Sequence, residues 1–210
     1  MTKLPLQLQQ INREGYSVSL WVPDAAAVQA SYYHQKEQDN TIPFPHWTRL
    51  WPAALALTDY LHTHPELIRQ KNVLELAAGL GLPSLIAARQ AATVCCSDYL
   101  QEAVDTMEQN IRHNQLTNVT GSLINWHHLP PQLQPDVLLM SDINYNPEDF
   151  SHLYQVLLHF LQMGTHIILT TPQRLMAKPF IEQLLPWCVA QQEVNVQDTQ
   201  VTILELSNQH

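Results

Sequence analysis

The stretch Val73-Leu74-Glu75-Leu76-Ala77-Ala78-Gly79-Leu80-Gly81-Leu82-Pro83 constrains this chain more than any other. Its apolar start reads as a buried parallel strand, its small residues as a tight turn, and its apolar end as the opening of a helix. A second apolar run, Thr93-Val94-Cys95-Cys96-Ser97, ends in Asp98. An acidic residue about twenty positions beyond such a turn is the arrangement that holds a nucleotide cofactor. Small residues let the backbone approach a ligand, and an unpaired helix N-terminus favours electron-rich groups. A carboxylate at the end of the second strand can accept from both ribose hydroxyls.

Around this stretch the chain alternates strand and helix, which predicts an α/β fold with a parallel sheet. Residues 16–22 alternate as a strand does, and an alanine-rich helix follows from Asp24 to near Gln38. Residues 41–52 carry Pro43, Pro45 and Pro52 and cannot be regular, although Pro52 suits the first position of a helix running to about Thr63. Trp47 and Trp51 lie on the approach to that helix, as core packing or as ligand contacts. Asp98 reads either as the ribose carboxylate or as the cap of a helix beginning at Tyr99, with Gln101 completing a capping box. Further strands are predicted over 119–124, 135–141 and 166–170, a helix around 175–185, and a terminal hairpin from strands 188–196 and 201–206. Asn146 caps a helix that begins at Pro147, leaving Asp142 and Tyr145 in a loop at the carboxyl end of a central strand, where open α/β sheets bind ligands. The expected organisation is an N-terminal extension over residues 1–48, a strand and a helix packing on the core, and a cofactor-binding domain over residues 49–210.

Composition excludes several classes. The formal net charge is −9, with ten Lys and Arg in 210 residues and no basic cluster, which argues against a nucleic-acid binder that must neutralise phosphates. The start lacks the apolar run of a signal peptide and no apolar stretch is long enough to span a membrane, so the expectation is a cytoplasmic protein with no membrane partner. Cys95, Cys96 and Cys188 form neither a disulfide framework nor a zinc pattern and read as reduced thiols. The eleven histidines are not spaced as metal ligands, and no metal is expected.

Four local motifs together resemble the seven-strand, class I S-adenosylmethionine-dependent methyltransferases. They are Leu50-Trp51-Pro52-Ala53-Ala54, the Leu74–Pro83 loop, Ser97-Asp98-Tyr99, and Ser141-Asp142-Ile143-Asn144-Tyr145. The likeness covers about residues 42–206 and is greatest to the branch of protein-lysine methyltransferases, whose bacterial members are often labelled nicotinamide N-methyltransferase-like. It implies a Rossmann-like seven-strand sheet, mostly parallel with an antiparallel terminal hairpin and helices on both faces. The cofactor would be S-adenosylmethionine, leaving as S-adenosylhomocysteine. On this resemblance Glu75, Ala77, Ala78, Gly79 and Gly81 belong to the cofactor loop, Asp98 holds the ribose with Tyr99 beside it, and Trp126 lies against the adenine. Ser141 borders the methionine side, Trp51 helps close the pocket, and Asp142 with Tyr145 forms an acidic-x-x-aromatic pair beside the transferring methyl. Ala77 stands where the family has glycine. Alanine disfavours positive φ, so it is tolerated where φ is negative and otherwise narrows the pocket or weakens affinity.

The resemblance implies N-methylation of a lysine on a protein substrate, by a monomer. A small amine or heterocycle as acceptor, and an inactive cofactor-binding module, are the alternatives. An NAD dehydrogenase fits less well, because the loop lacks a third glycine and no Tyr-x-x-x-Lys pattern follows. A nucleic-acid base methyltransferase fits less well too, since Ile143-Asn144 stands where that chemistry has two prolines. The Asp142–Tyr145 pair also has a purely structural reading, as a turn cap and a buried wall.

Overall fold

The computed structural model describes residues 4–208. It opens with an antiparallel hairpin of β1 (Leu6–Arg13) and β2 (Tyr16–Pro23), of which β1 carries too many glutamines to alternate and is not legible in the sequence. Its turn needs Gly15, whose φ is +79° and where a Cβ would come within 2.6 Å of His62 Nε2. In β2 the alternation is real: Tyr16, Val18, Leu20 and Val22 are buried. Side chains of two helices tie this hairpin to the rest. Arg13 and Tyr16 both donate to the Asp59 carboxylate, Tyr16 at 2.7 Å. Asn110 accepts from Trp21 N at 2.6 Å and donates to Trp21 O at 3.2 Å, and Asn114 donates to Ser19 O at 2.8 Å.

Helix α1 (Ala25–Gln38) is capped by Asp24, which accepts from Ala27 N at 2.8 Å, and buries only Val28. The proline-rich segment that follows holds one 3-10 turn, His46–Thr48, and then α2 (Pro52–Thr63) starts at Pro52. From there the chain alternates through β3 (Asn72–Leu76), α3 (Leu82–Ala87), β4 (Thr93–Asp98), α4 (Gln101–His113), β5 (Val119–Leu123), β6 (Val137–Ser141), α5 (Phe150–Gln162), β7 (His166–Pro172), α6 (Lys178–Leu184), β8 (Cys188–Val196) and β9 (Thr199–Leu206). The seven strands from β3 onward form one sheet in the order β5-β4-β3-β6-β7-β9-β8. The first five in that order are parallel, and β9 runs antiparallel to both β7 and β8.

Successive strand residues point to opposite faces, which is why the central strands read as unbroken apolar runs. On one face Val73, Val94, Val137 and Ile168 pack with residues of α2, α3 and α4. On the other, Leu74, Leu138, Met140 and Leu169 pack with Leu153, Leu157 and Phe160 of α5 and with Phe180 of α6. The seven-strand sheet, its helices on both faces and the terminal hairpin are as expected. Three helix boundaries differ. Helix α5 begins at Phe150 after a 3-10 turn at Pro147–Asp149, and α6 at Lys178 after one at Leu175–Ala177. Helix α4 begins at Gln101, not Tyr99, because Leu100 is still extended. The expected Gln101 capping box does not form: the Asp98 carboxylate accepts from Leu100 N at 3.1 Å, and Gln101 donates to Asp105.

Candidate active site

The strand order reverses at β3, since β4 and β5 lie to one side and β6 and β7 to the other. The carboxyl ends of β3, β4 and β6 therefore open on one crevice, the place where doubly wound sheets bind ligands. After Leu76 the backbone turns sharply, with φ of +53° at Ala77, +56° at Gly79 and +76° at Gly81. Ala77 thus adopts the left-handed conformation that alanine disfavours, and the negative φ that would make it tolerable is not what the loop adopts. The glycines also have steric reasons. A Cβ on Gly79 would sit 3.3 Å from Trp47 O, and one on Gly81 would sit 2.8 Å from Cys96 Sγ.

Two carboxylates hold this loop. Glu75 is wholly buried and accepts from both Ser84 N, at 3.0 Å, and Ser84 Oγ, at 2.5 Å, closing the loop across its base. Its Oε1 has no partner, and burial pushes its carboxyl up to about 8. Asp98, only 4% exposed, accepts from Gly79 N at 3.1 Å through one oxygen and from Leu100 N through the other. Burial raises its pKa, and the backbone N–H groups partly offset that rise. Each Asp98 oxygen retains acceptor capacity, because an ionised carboxylate offers about four lone-pair sites.

The opposite wall is built differently. Ser141 closes β6 half-buried, and Asp142 follows with φ of +54°, its N–H donating to Thr170 O at 2.9 Å. The Asp142 carboxylate accepts from Arg174 Nη1 at 2.6 Å, and Arg174 lies just beyond β7. Asn144 is fully buried, accepting from Thr171 Oγ1 at 2.7 Å while its Nδ2 finds no partner. Tyr145 is 45% exposed, with its ring 5.3 Å from that of His46. Burial raises its pKa, and the charges of Tyr99, Asp149, Asp98 and Asp142 add to the rise. Tyr99 is itself 53% exposed beside Asp98.

Two tryptophans frame the crevice. Trp51, the residue before α2, donates from Nε1 to His46 O at 2.9 Å, and its ring lies 5.7 Å from the His46 ring and under Arg49. Trp126 follows β5 in a 3-10 turn capped by Asn125, half-buried against the α5 face. Of the groups expected to contact the cofactor, Ala77, Ala78 and Gly79 follow β3, Asp98 and Tyr99 lie at the end of β4 and Ser141 at the end of β6, whereas Glu75 is wholly buried against Ser84 and Trp51 stands before α2. Arg174 and His46 were not foreseen, since each reaches the site from a segment remote in sequence, whereas Asn144 lies inside the quoted motif and its burial gave no local signal.

This donor set fits S-adenosylmethionine. Asp98 has spare acceptor sites for two hydroxyls, Tyr99 follows it half-exposed, and the loop presents small residues at the end of β3. Among the described residues no group of three or more His, Cys, Asp or Glu is placed to hold a metal ion.

Comparison with known proteins agrees with this geometry. The sequence profile described as lysine methyltransferase matches residues 2–186. Histone-arginine methyltransferase METTL23 of Rattus norvegicus is 34% identical over 127 residues, which cover 56% of this chain and 55% of the relative. Protein N-lysine methyltransferase METTL21A of Xenopus tropicalis is 32% identical over 130 residues, 60% of each chain. The chain thus spans little more than half the length of these relatives. Among solved structures, N-methyltransferase NodS from Bradyrhizobium japonicum in complex with S-adenosyl-L-homocysteine superposes with a TM-score of 0.65 at 14% identity, covering 85% of this chain and 98% of that one. The 16S rRNA N2 G1207 methyltransferase RsmC of T. thermophilus gives 0.62 at 17% identity, covering 96% and 50%. These two likenesses bear on the fold alone.

Proposed function

This chain belongs to the lysine methyltransferase family, and on that premise we propose that it transfers a methyl group from S-adenosylmethionine to a side-chain nitrogen of a protein, with lysine as the first candidate. The observation that carries the reading is the placement of two carboxylates across one crevice. Asp98 ends β4 with acceptor sites to spare, and Asp142 follows β6 on the other side of β3. S-adenosylmethionine supplies the electrophile, a methyl group on a sulfonium.

The residues divide the remaining work. Asp98 accepts from the ribose hydroxyls, Trp126 covers the adenine with Tyr99 alongside, and the 77–81 backbone with Ser141 borders the methionine portion. Glu75 acts from below by fixing the loop to Ser84. Trp51 and Tyr145 close the far side and exclude water. Asp142 orients the acceptor nitrogen, and its charge favours the positive charge that develops there. The Tyr145 ring offers its face to the same cation, a contact of about 0.5–2 kcal/mol. A lysine must lose its proton to react, and its ordinary pKa of about 10.4 makes transfer rise with pH across the neutral range. In-line displacement otherwise asks mainly for alignment, which this walled crevice provides.

Arginine is the second reading. Asp142 already holds a guanidinium, that of Arg174, and one relative bears the name histone-arginine methyltransferase. The test is transfer of labelled methyl from S-adenosylmethionine into a host-cell extract, separated into protein and small-molecule fractions. Label in a discrete protein band that hydrolyses to methyl-lysine is the expected result, and methyl-arginine selects the second reading. Label confined to small molecules overturns the protein acceptor, and no label in any fraction overturns the transferase reading.

A further inference from the structure

The acid assigned to the acceptor nitrogen is not free. Arg174 Nη1 sits 2.6 Å from Asp142 Oδ1 in a part-buried pair, the side chains being 29% and 10% exposed. The contact is single-pronged, and no second side-chain donor reaches that carboxylate among the described residues. We infer that Arg174 is a specificity-determining residue: its guanidinium holds, on Asp142, the position that an acceptor cation must take, and restricts turnover to acceptors with enough contact surface of their own to displace it. This inference rests on the reading of Asp142 given above and narrows the acceptor to a peptide segment, as opposed to a free small amine.

Three features support it. A one-pronged pair forgoes the fork-to-fork geometry that makes arginine–carboxylate pairs strong, so it suits exchange better than permanent structure. Arg174 stands at the junction of β7 and a 3-10 turn, Leu175–Ala177, a position from which the side chain can swing outward. The next two residues are apolar and uncovered, Leu175 at 94% and Met176 at 52% exposure. A peptide lying over this rim buries apolar surface as its cation enters, and that gain drives the exchange. A small amine carries the same charge but none of that surface.

The experiment compares wild type, Arg174→Ala and Arg174→Lys as full chains, with thermal melting and cofactor affinity measured on each. The acceptors are N-acetyl-lysine amide and a pool of lysine-containing host-cell peptides made by Glu-specific digestion. Arg174→Ala is expected to raise kcat/KM for the small amine about tenfold or more, with the gain in KM, while the peptide pool changes much less. Arg174→Lys, which keeps a cation for Asp142, is expected to restore most of the discrimination. Cofactor affinity stays within twofold in both variants. A small-amine KM that stays the same or rises in Arg174→Ala overturns the inference and leaves the transferase reading intact. A fall in kcat for both acceptors alike also overturns it, because Arg174 would then support Asp142 in the reaction. Failure of every protein to label either acceptor overturns the transferase reading and this inference with it.

Discussion

The two walls of the crevice are made by different means. On the β3–β4 wall, the contacts come mostly from within one βαβ unit: Glu75 reaches Ser84, Asp98 reaches Leu100, and the bonds from Gly79 N to Asp98, Ala78 N to Ser97 O and Ser97 Oγ to Glu75 O join the loop to β4. On the β6–β7 wall the contacts come from afar, with Arg174 meeting Asp142 and His46 meeting Tyr145. The first wall is a prebuilt cradle. The second is held by side chains that can be exchanged, as an acceptor site must be if substrates enter and leave while the cradle stays in place.

That contrast is broken or sharpened most strongly at Asp142. Its φ of +54° makes alanine a poor probe, since a loss could come from the backbone, whereas asparagine tolerates the left-handed region. Asp142→Asn is expected to lower the transfer rate ~10²–10³-fold, the scale of removing one electrostatic stabiliser, with cofactor affinity within twofold in isothermal titration. A matching loss of cofactor affinity would show that the two walls are not separable. On the cradle side, Asp98→Asn should weaken cofactor binding by ~10–100-fold, because asparagine offers one acceptor oxygen for two hydroxyls and a charged-group bond contributes about 1.5–3 kcal/mol. The same carboxylate predicts weaker binding in acid: its pKa is raised by burial, and protonation removes an acceptor site. Unchanged affinity in Asp98→Asn would remove Asp98 from the ribose.

Glu75 probes the cradle without touching the ligand. Its carboxyl rises from 4.5 to about 8 on burial, so the folded chain holds that proton more tightly than the unfolded one. The stability so gained is present in full below about pH 4.5 and is lost as pH climbs towards 8, at on the order of 1 kcal/mol per pH unit. Glu75→Gln keeps an oxygen for the two Ser84 donors and has no proton to lose. Its thermal midpoint should therefore fall less than that of wild type between pH 5 and pH 8. Parallel curves for the two proteins would mean that Glu75 is not the titrating group.

The same contrast explains what the sequence disclosed. The mostly parallel sheet, its terminal hairpin and the loop after β3 were legible because local pattern sets them: apolar runs bounded by small residues, Asp98 and Asp142 at the ends of β4 and β6, Pro52 at a helix start. The hairpin strand Leu6–Arg13 was not, because it forms by pairing with β2 and shows no alternation of its own. The start of α4 was misplaced because Asp98 serves the turn at Leu100 and the loop at Gly79, so a capping pattern was present without the cap. Arg174 was invisible for a simpler reason. Nothing about an arginine after a strand says which of the carboxylates at neighbouring strand ends it will meet.

The smallest predicted effect lies at Ala77, where local rules and the fold disagree. A left-handed φ of +53° costs an alanine about 1–2 kcal/mol, while glycine there gives back about 0.5–1 kcal/mol through the greater freedom of the unfolded chain. Ala77→Gly should therefore stabilise the protein by only about 0.5–1 kcal/mol, a rise of roughly 1–4 °C in Tm for a chain of this size. The cofactor titration of the same variant separates the two costs the Cβ can impose. If affinity rises together with Tm, the methyl group narrows the cradle as well as straining it. If Tm rises alone, the strain is confined to the backbone, and the cradle accommodates its ligand as built. A lower Tm would show that the Ala77 methyl, which packs against the α5 face of the core, contributes more in contact than its backbone conformation costs.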